Sequence, residues 1–117
     1  MKFALLIYAD EKAWRSMSDA EQTQMYAEHR EFGTWLAEKG WPREGEELHP
    51  SDRASTVRAE GDAFVVSDGP YAETKEQLAG VYLIECPSFE DALEAGKRLP
   101  ADIVEVRPVV EDEQRPS

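Results

Sequence analysis

The sequence has a single cysteine, Cys86, so it can form no disulfide within the chain, and this usage fits a reducing compartment. Cys86 closes an apolar run, which suits a small buried hydrophobe better than a nucleophile. No stretch is long and apolar enough to span a bilayer. The run after Lys2 is too short for a leader's core and cleavage site, and Asp10-Glu11-Lys12 follows at once. Positive charge is scarce: 13 basic residues against 25 acidic ones give a net charge of −12. Phosphate backbones and anionic membrane surfaces would be repelled, so neither nucleic acid nor membrane is an expected partner. Two histidines and scattered carboxylates lack any metal-ligand spacing such as HExxH, so no metal is expected. Ser67 lacks the flanking glycines of a nucleophile elbow, and Gly69, Gly80 and Gly96 stand alone, so no phosphate or dinucleotide loop is present. A cytoplasmic protein with no cofactor is the expectation.

What remains is ordinary for one soluble domain: 117 residues, 41% apolar and 32% charged. The domain is placed at 1–110, with 111–117 a polar, disordered tail. Residues 3–9 read as a strand with apolar residues on both faces: Phe3, Leu5 and Ile7 on one, Ala4, Leu6 and Tyr8 on the other. Ser18 and Glu21 form a capping box, and Gly40 with Pro42 ends the helix they open. Met25, His29, Phe32 and Leu36 make its apolar stripe, with Trp35 beside it and Gln24, Glu28, Glu31 and Glu38 opposite. Residues 41–50 read as an irregular link with a short extended piece at Glu47-Leu48-His49, His49 being an exposed loop residue. Residues 54–60 and 63–67 form a hairpin, where Gly61 suits the first position of a type II′ turn. A strand at 81–86 follows, then a helix capped by Ser88 whose shared face is Phe89, Leu93 and Gly96, stopped by Pro100. Residues 103–109 form the last strand.

This order predicts an α+β fold with both helices on one face of an antiparallel sheet. Two helices cover one face only, while the strands at 3–9 and 81–86 are apolar on both. A second copy of the chain, sheets face to face, is the simplest cover for the other face.

Residues 68–80, Asp-Gly-Pro-Tyr-Ala-Glu-Thr-Lys-Glu-Gln-Leu-Ala-Gly, read as a connection longer than a hairpin needs. Asp-Gly-Pro makes a sharp turn, and Thr74 with Gln77 is spaced to cap a single helical turn. A stiff, charged loop between buried strands is a place to build a site; an omega loop with solvated charges fits the same composition.

This stretch, continuing through Val81 and Tyr82, resembles the signature of the YCII-related family in its DGPF-motif branch. Tyr71 stands where the motif has Phe, and Ala79 where a second Gly is common. The opening Met1–Tyr8 and the closing Val104–Pro108 are similar too. The resemblance implies a ferredoxin-like arrangement and a dimeric α+β barrel. It also implies a His and an Asp near one another in a cleft, which fall here on His29 and Asp68.

From residue chemistry alone, His29 and Asp68 are the one pairing suited to acid–base work: a carboxylate fixes an imidazole's tautomer and stabilises its cation. A core histidine bonded to a backbone carbonyl, and an aspartate capping its own turn, remain open alternatives. Gly69, Pro70, Thr74, Lys75 and Tyr8 are candidate ligand contacts, although a salt bridge to Glu73 or Glu76 is the commoner fate of such a lysine. The expectation is a small-molecule-binding homodimer performing a cofactor-free, lyase- or isomerase-like step. The alternative is a non-enzymatic metabolite-binding or regulatory accessory module, the resemblance implying an association with a sigma factor.

Overall fold

The structure, a computed structural model, describes residues 1–117. Strand β1 (Lys2–Asp10) lies between β5 (Glu76–Glu85) and β6 (Ile103–Pro108), and β2 (Arg43–Glu47) pairs with the outer side of β5. All these pairings are antiparallel, in the order β2-β5-β1-β6. The fold is α+β, and this order is compatible with the ferredoxin-like arrangement. No helix is long and apolar enough to cross a membrane.

The capping box of Ser18 and Glu21 opens helix α2 (Asp19–Lys39) as its spacing requires. Gly40 ends it in the left-handed conformation, φ +74°, where its N–H donates to Ala37 and that of Trp41 to Leu36. These two bonds form a Schellman motif and satisfy carbonyls that the helix end would orphan. Ser18→Ala removes one cap and should cost about 1 kcal/mol, read as a lower thermal midpoint.

Phe3, Leu5 and Ile7 point to one side of the sheet with Ile84, and there they meet Phe32 and Leu36 of α2. Helix α3 (Phe89–Arg98) adds Ala92 and Ala95 to the same core, followed by Leu99. Both larger helices therefore cover one face. The fully buried residues of α3 are Ala92 and Ala95, not the expected Phe89–Leu93–Gly96, since Phe89 and Leu93 each keep more than a third of their surface exposed. Alanines allow the helix to approach the sheet closely; of the expected stripe, Phe89 lays its ring against Phe3 of β1 and Gly96 lies against Val106.

Three elements differ from the sequence expectation. A six-residue helix α1 (Glu11–Ser16) follows β1, started by the Asp10 carboxylate accepting from the N–H groups of Lys12 and Ala13. The link after Trp41 contains strand β2 instead of an extended piece at 47–49; its charged residues are exposed throughout, as an edge strand allows. Strand β5 begins at Glu76, five residues earlier than expected, with a bulge where Ile7 and Tyr8 face Gly80 and Leu78. The connection is accordingly shorter, and no helical turn starts at Thr74. The Gln77 side-chain amide instead donates to the carbonyls of Ala72 and Thr74. Within the tail, Asp112–Gln114 forms a 3-10 turn.

The expected hairpin is present as β3 (Ser55–Glu60) and β4 (Ala63–Asp68), pairing only with each other. Gly61 has φ +59° and no non-glycine residue has positive φ, consistent with a II′ turn.

Candidate functional site

His29 sits mid-way along α2 on the stripe that meets the sheet, and it is half-buried. Its Nδ1 lies 2.9 Å from the phenol oxygen of Tyr82, and the two rings are nearly parallel. Tyr82 is placed by register: it pairs with Leu5 on β1 and Gly45 on β2, so it shares the helix-facing side of the sheet. Its ring lies over Gly45, the residue whose missing side chain makes the space, and packs edge-on against Phe32. The half-buried phenol oxygen and Nδ1 of the imidazole satisfy one another, in the direction that the imidazole tautomer sets.

Burial pushes the His29 pKa below its ordinary value, with the carboxylates of Glu47 and Glu28 pulling the other way. The net direction keeps the imidazole neutral near pH 7. Burial raises the Tyr82 pKa, against the charge of Arg43, so the phenol stays protonated. The Tyr26 hydroxyl donates to the Glu47 carboxylate, 3.0 and 2.9 Å from its two oxygens. His29 makes no other hydrogen bond within the chain, which leaves Nε2 free.

Because the folded pKa is depressed, the unfolded chain binds the proton more readily. Stability from this group is fully present above the unfolded value of about 6.5 and is lost as pH falls toward the folded pKa. Urea midpoints measured from pH 7.5 down to 5 should decline less steeply for His29→Gln than for the parent.

Asp68 lies elsewhere. It ends β4, exposed, paired through its backbone with Ser55, and no hydrogen bond joins it to His29. Its side chain does not cap the Gly69 turn either; that turn is held by Gly69 N–H donating to Ala54 and Thr56 donating to the Gly69 carbonyl. Nor does His29 rest on a backbone carbonyl. Within one chain the structure joins His29 to Tyr82 and leaves Asp68 alone.

The loop at 69–75 borders a polar cleft of about 340 Å³ lined by Glu11, Ser51, Gly69, Pro70, Thr74 and Gln77, among others. Ser51 closes one wall, its N–H and hydroxyl both donating to Glu11. Three of the expected ligand contacts, Gly69, Pro70 and Thr74, thus share one cleft. Lys75 is exposed and forms no ion pair with Glu73 or Glu76, and it does not line the cleft. Tyr8 lies on the open side of the sheet, its hydroxyl donating to Glu105 at 3.1 Å, and Glu105 in turn is held by Arg107. Cys86 is buried, and burial raises its thiol pKa, as a packing residue requires.

The profile of the YCII-related domain matches residues 1–112, nearly the whole chain. The chain belongs to the YCII-related family. An uncharacterised protein of Rhizobium meliloti (strain 1021) is 35% identical over 99 residues, covering 85% of this chain and 80% of that protein. In this YCII-related chain the residues that sequence reasoning missed are Tyr82, Gly45 and the Tyr26–Glu47 pair. The available signal was Tyr82 standing two residues before Ile84, on the core side of a strand, where a hydroxyl must find a partner.

Proposed function

We propose that this YCII-related protein, of the DGPF-motif branch, is a cytoplasmic homodimer that binds a small organic molecule. On it the protein carries out a cofactor-free proton transfer of the lyase or isomerase kind. The observation that carries this reading is the half-buried, neutral His29 with Nδ1 held by Tyr82 and Nε2 unengaged. With Nδ1–H donating to the Tyr82 oxygen, Nε2 presents a lone pair and can take a proton from a substrate carbon, then return it to the leaving group or to a neighbouring carbon. Tyr82, in the place expected of Asp68, fixes the ring's orientation, and Thr74 or Lys75 binds a polar substrate group.

The homodimer is supported by surface. The side of the sheet away from the helices carries Ala4, Leu6, Val81 and Leu83, flanked by Glu44, Glu46 and Arg107, an apolar centre with a charged rim. The chain exposes 8458 Å², whereas a folded monomer of 13.2 kDa should expose about 6,400 Å². The excess, roughly 2,000 Å², is larger than the about 800 Å² per partner that a stable interface needs. Sheets facing one another across a two-fold axis would close an α+β barrel.

Adding a mixture of small metabolites to isotope-labelled protein tests the binding half. The His29 and Tyr82 ring resonances should shift saturably with at least one component. Shifts confined to other surfaces, or none, would remove the site from His29.

A further inference from the structure

The β3–β4 hairpin is an arm that the rest of its own chain does not cover. Register sorts its side chains into two faces. Val57 pairs with Val66 and Ala59 with Phe64 on one face, which also carries Asp68 opposite Ser55. The other face carries Thr56, Ser67, Arg58, Val65 and Glu60. The first face is an apolar strip in contact with water: Val57 is 62%, Phe64 73% and Val66 65% exposed. A two-stranded hairpin is marginal alone in water, so an ordered arm of this kind needs something to pack against. The arm also stretches the molecule: the radius of gyration is 16.7 Å, against about 13 Å for a folded chain of this length.

The same chain holds a second uncovered apolar surface. Leu78, Tyr8 and Ile103 form one row across β5, β1 and β6 on the open side of the sheet. Leu78 is 41% and Ile103 43% exposed, at the end of that face opposite Ala4 and Leu83. In a two-fold pair, each chain offers one arm and one row, so both surfaces are covered with none left over.

We infer that the arm seats its Val57–Ala59–Phe64–Val66 face on the Leu78–Tyr8–Ile103 row of a second copy of this chain. The inference rests on the dimer reading above and adds a consequence for the site. Asp68 shares the docking face, so it turns toward the partner and not toward its own His29. The signature aspartate then works across the interface, over the sheet side that carries Tyr8.

A double-mutant cycle tests the seating. Phe64 and Ile103 are both exposed within the chain, so Phe64→Ala and Ile103→Ala leave the fold of each subunit intact. Sedimentation equilibrium should show each weakening the dimer by about tenfold or more, and the double variant by clearly less than the product, because both remove one contact. Val65→Ala, on the reverse face, should leave the dissociation constant unchanged. Additive losses from Phe64 and Ile103, or a dimer indifferent to either, would overturn the arm's seating while the dimer itself stood. A parent protein that is monomeric at all concentrations would instead remove the dimer reading and the seating with it.

Discussion

Leu36→Ala is expected to cost about 2–5 kcal/mol and to lower the thermal midpoint by roughly 10 °C or more. Leu36 is fully buried at the last turn of α2, and its side chain belongs to the cluster of Phe3, Leu5, Phe32 and Ile84. The chain buries few residues, so little of the core is redundant and the cavity has few neighbours able to collapse into it. Its backbone carbonyl is also the acceptor for Trp41, which fixes the exit of the helix. Denaturant unfolding followed by tryptophan fluorescence reads the loss directly. A change below about 1 kcal/mol would mean that this cluster is not the core that carries the fold.

Gly45→Ala should have a large effect for a different reason. At an exposed position on an edge strand, alanine would ordinarily be neutral or mildly favourable. Here the added Cβ would lie 2.7 Å from two carbons of the Tyr82 ring, which Phe32 holds on another side. The ring must move, at about 1–3 kcal/mol, and its hydroxyl leaves Nδ1 of His29. A changed His29 ring signal together with a lower urea midpoint is the expected pair of results. Gly33→Ala is the matched control. Its Cβ would come within 2.5 Å of the Arg43 guanidinium, the free end of a flexible side chain that can swing away. Loss of stability in the second variant and not the first would invert the reading.

The parts of the fold that the sequence reveals are those whose cause is local. Ser18, Glu21 and Gly40 delimit α2 because caps are made by neighbours in the chain. Gly61 announces the arm's turn, and the doubly apolar β1 announces a sheet with one face left over. Helix α1 is hidden because six residues carry no apolar period, and it is anchored from outside by Ser51 on Glu11. Strand β2 is hidden because Arg43-Glu44-Gly45-Glu46-Glu47 has no buried side to alternate against; its pairing with β5 alone makes it a strand. The start of β5 is masked by Glu76 and Gln77, polar residues that read as loop.

The candidate site divides the same way. A histidine in the apolar stripe of α2 is visible by period, and so is the Asp-Gly-Pro turn. Which group meets the imidazole is decided by cross-strand register 53 residues away, beyond the reach of spacing. Residue chemistry and the family resemblance both point to Asp68 as the partner of His29, and neither reads the register that decides it. In the folded chain the phenol of Tyr82 occupies Nδ1, and Asp68 stands on the arm.

The most direct measurement incubates the protein with a cell-free pool of small metabolites and follows every component by mass spectrometry, in parallel with His29→Ala. The parent should consume one compound and form an isomer or elimination product. Loss of the base should slow that conversion by about 10²–10⁴-fold while the fold is retained. Equal conversion by both proteins would contradict a role for His29 in chemistry. Saturable binding with no conversion by either would make this YCII-related protein a binding module.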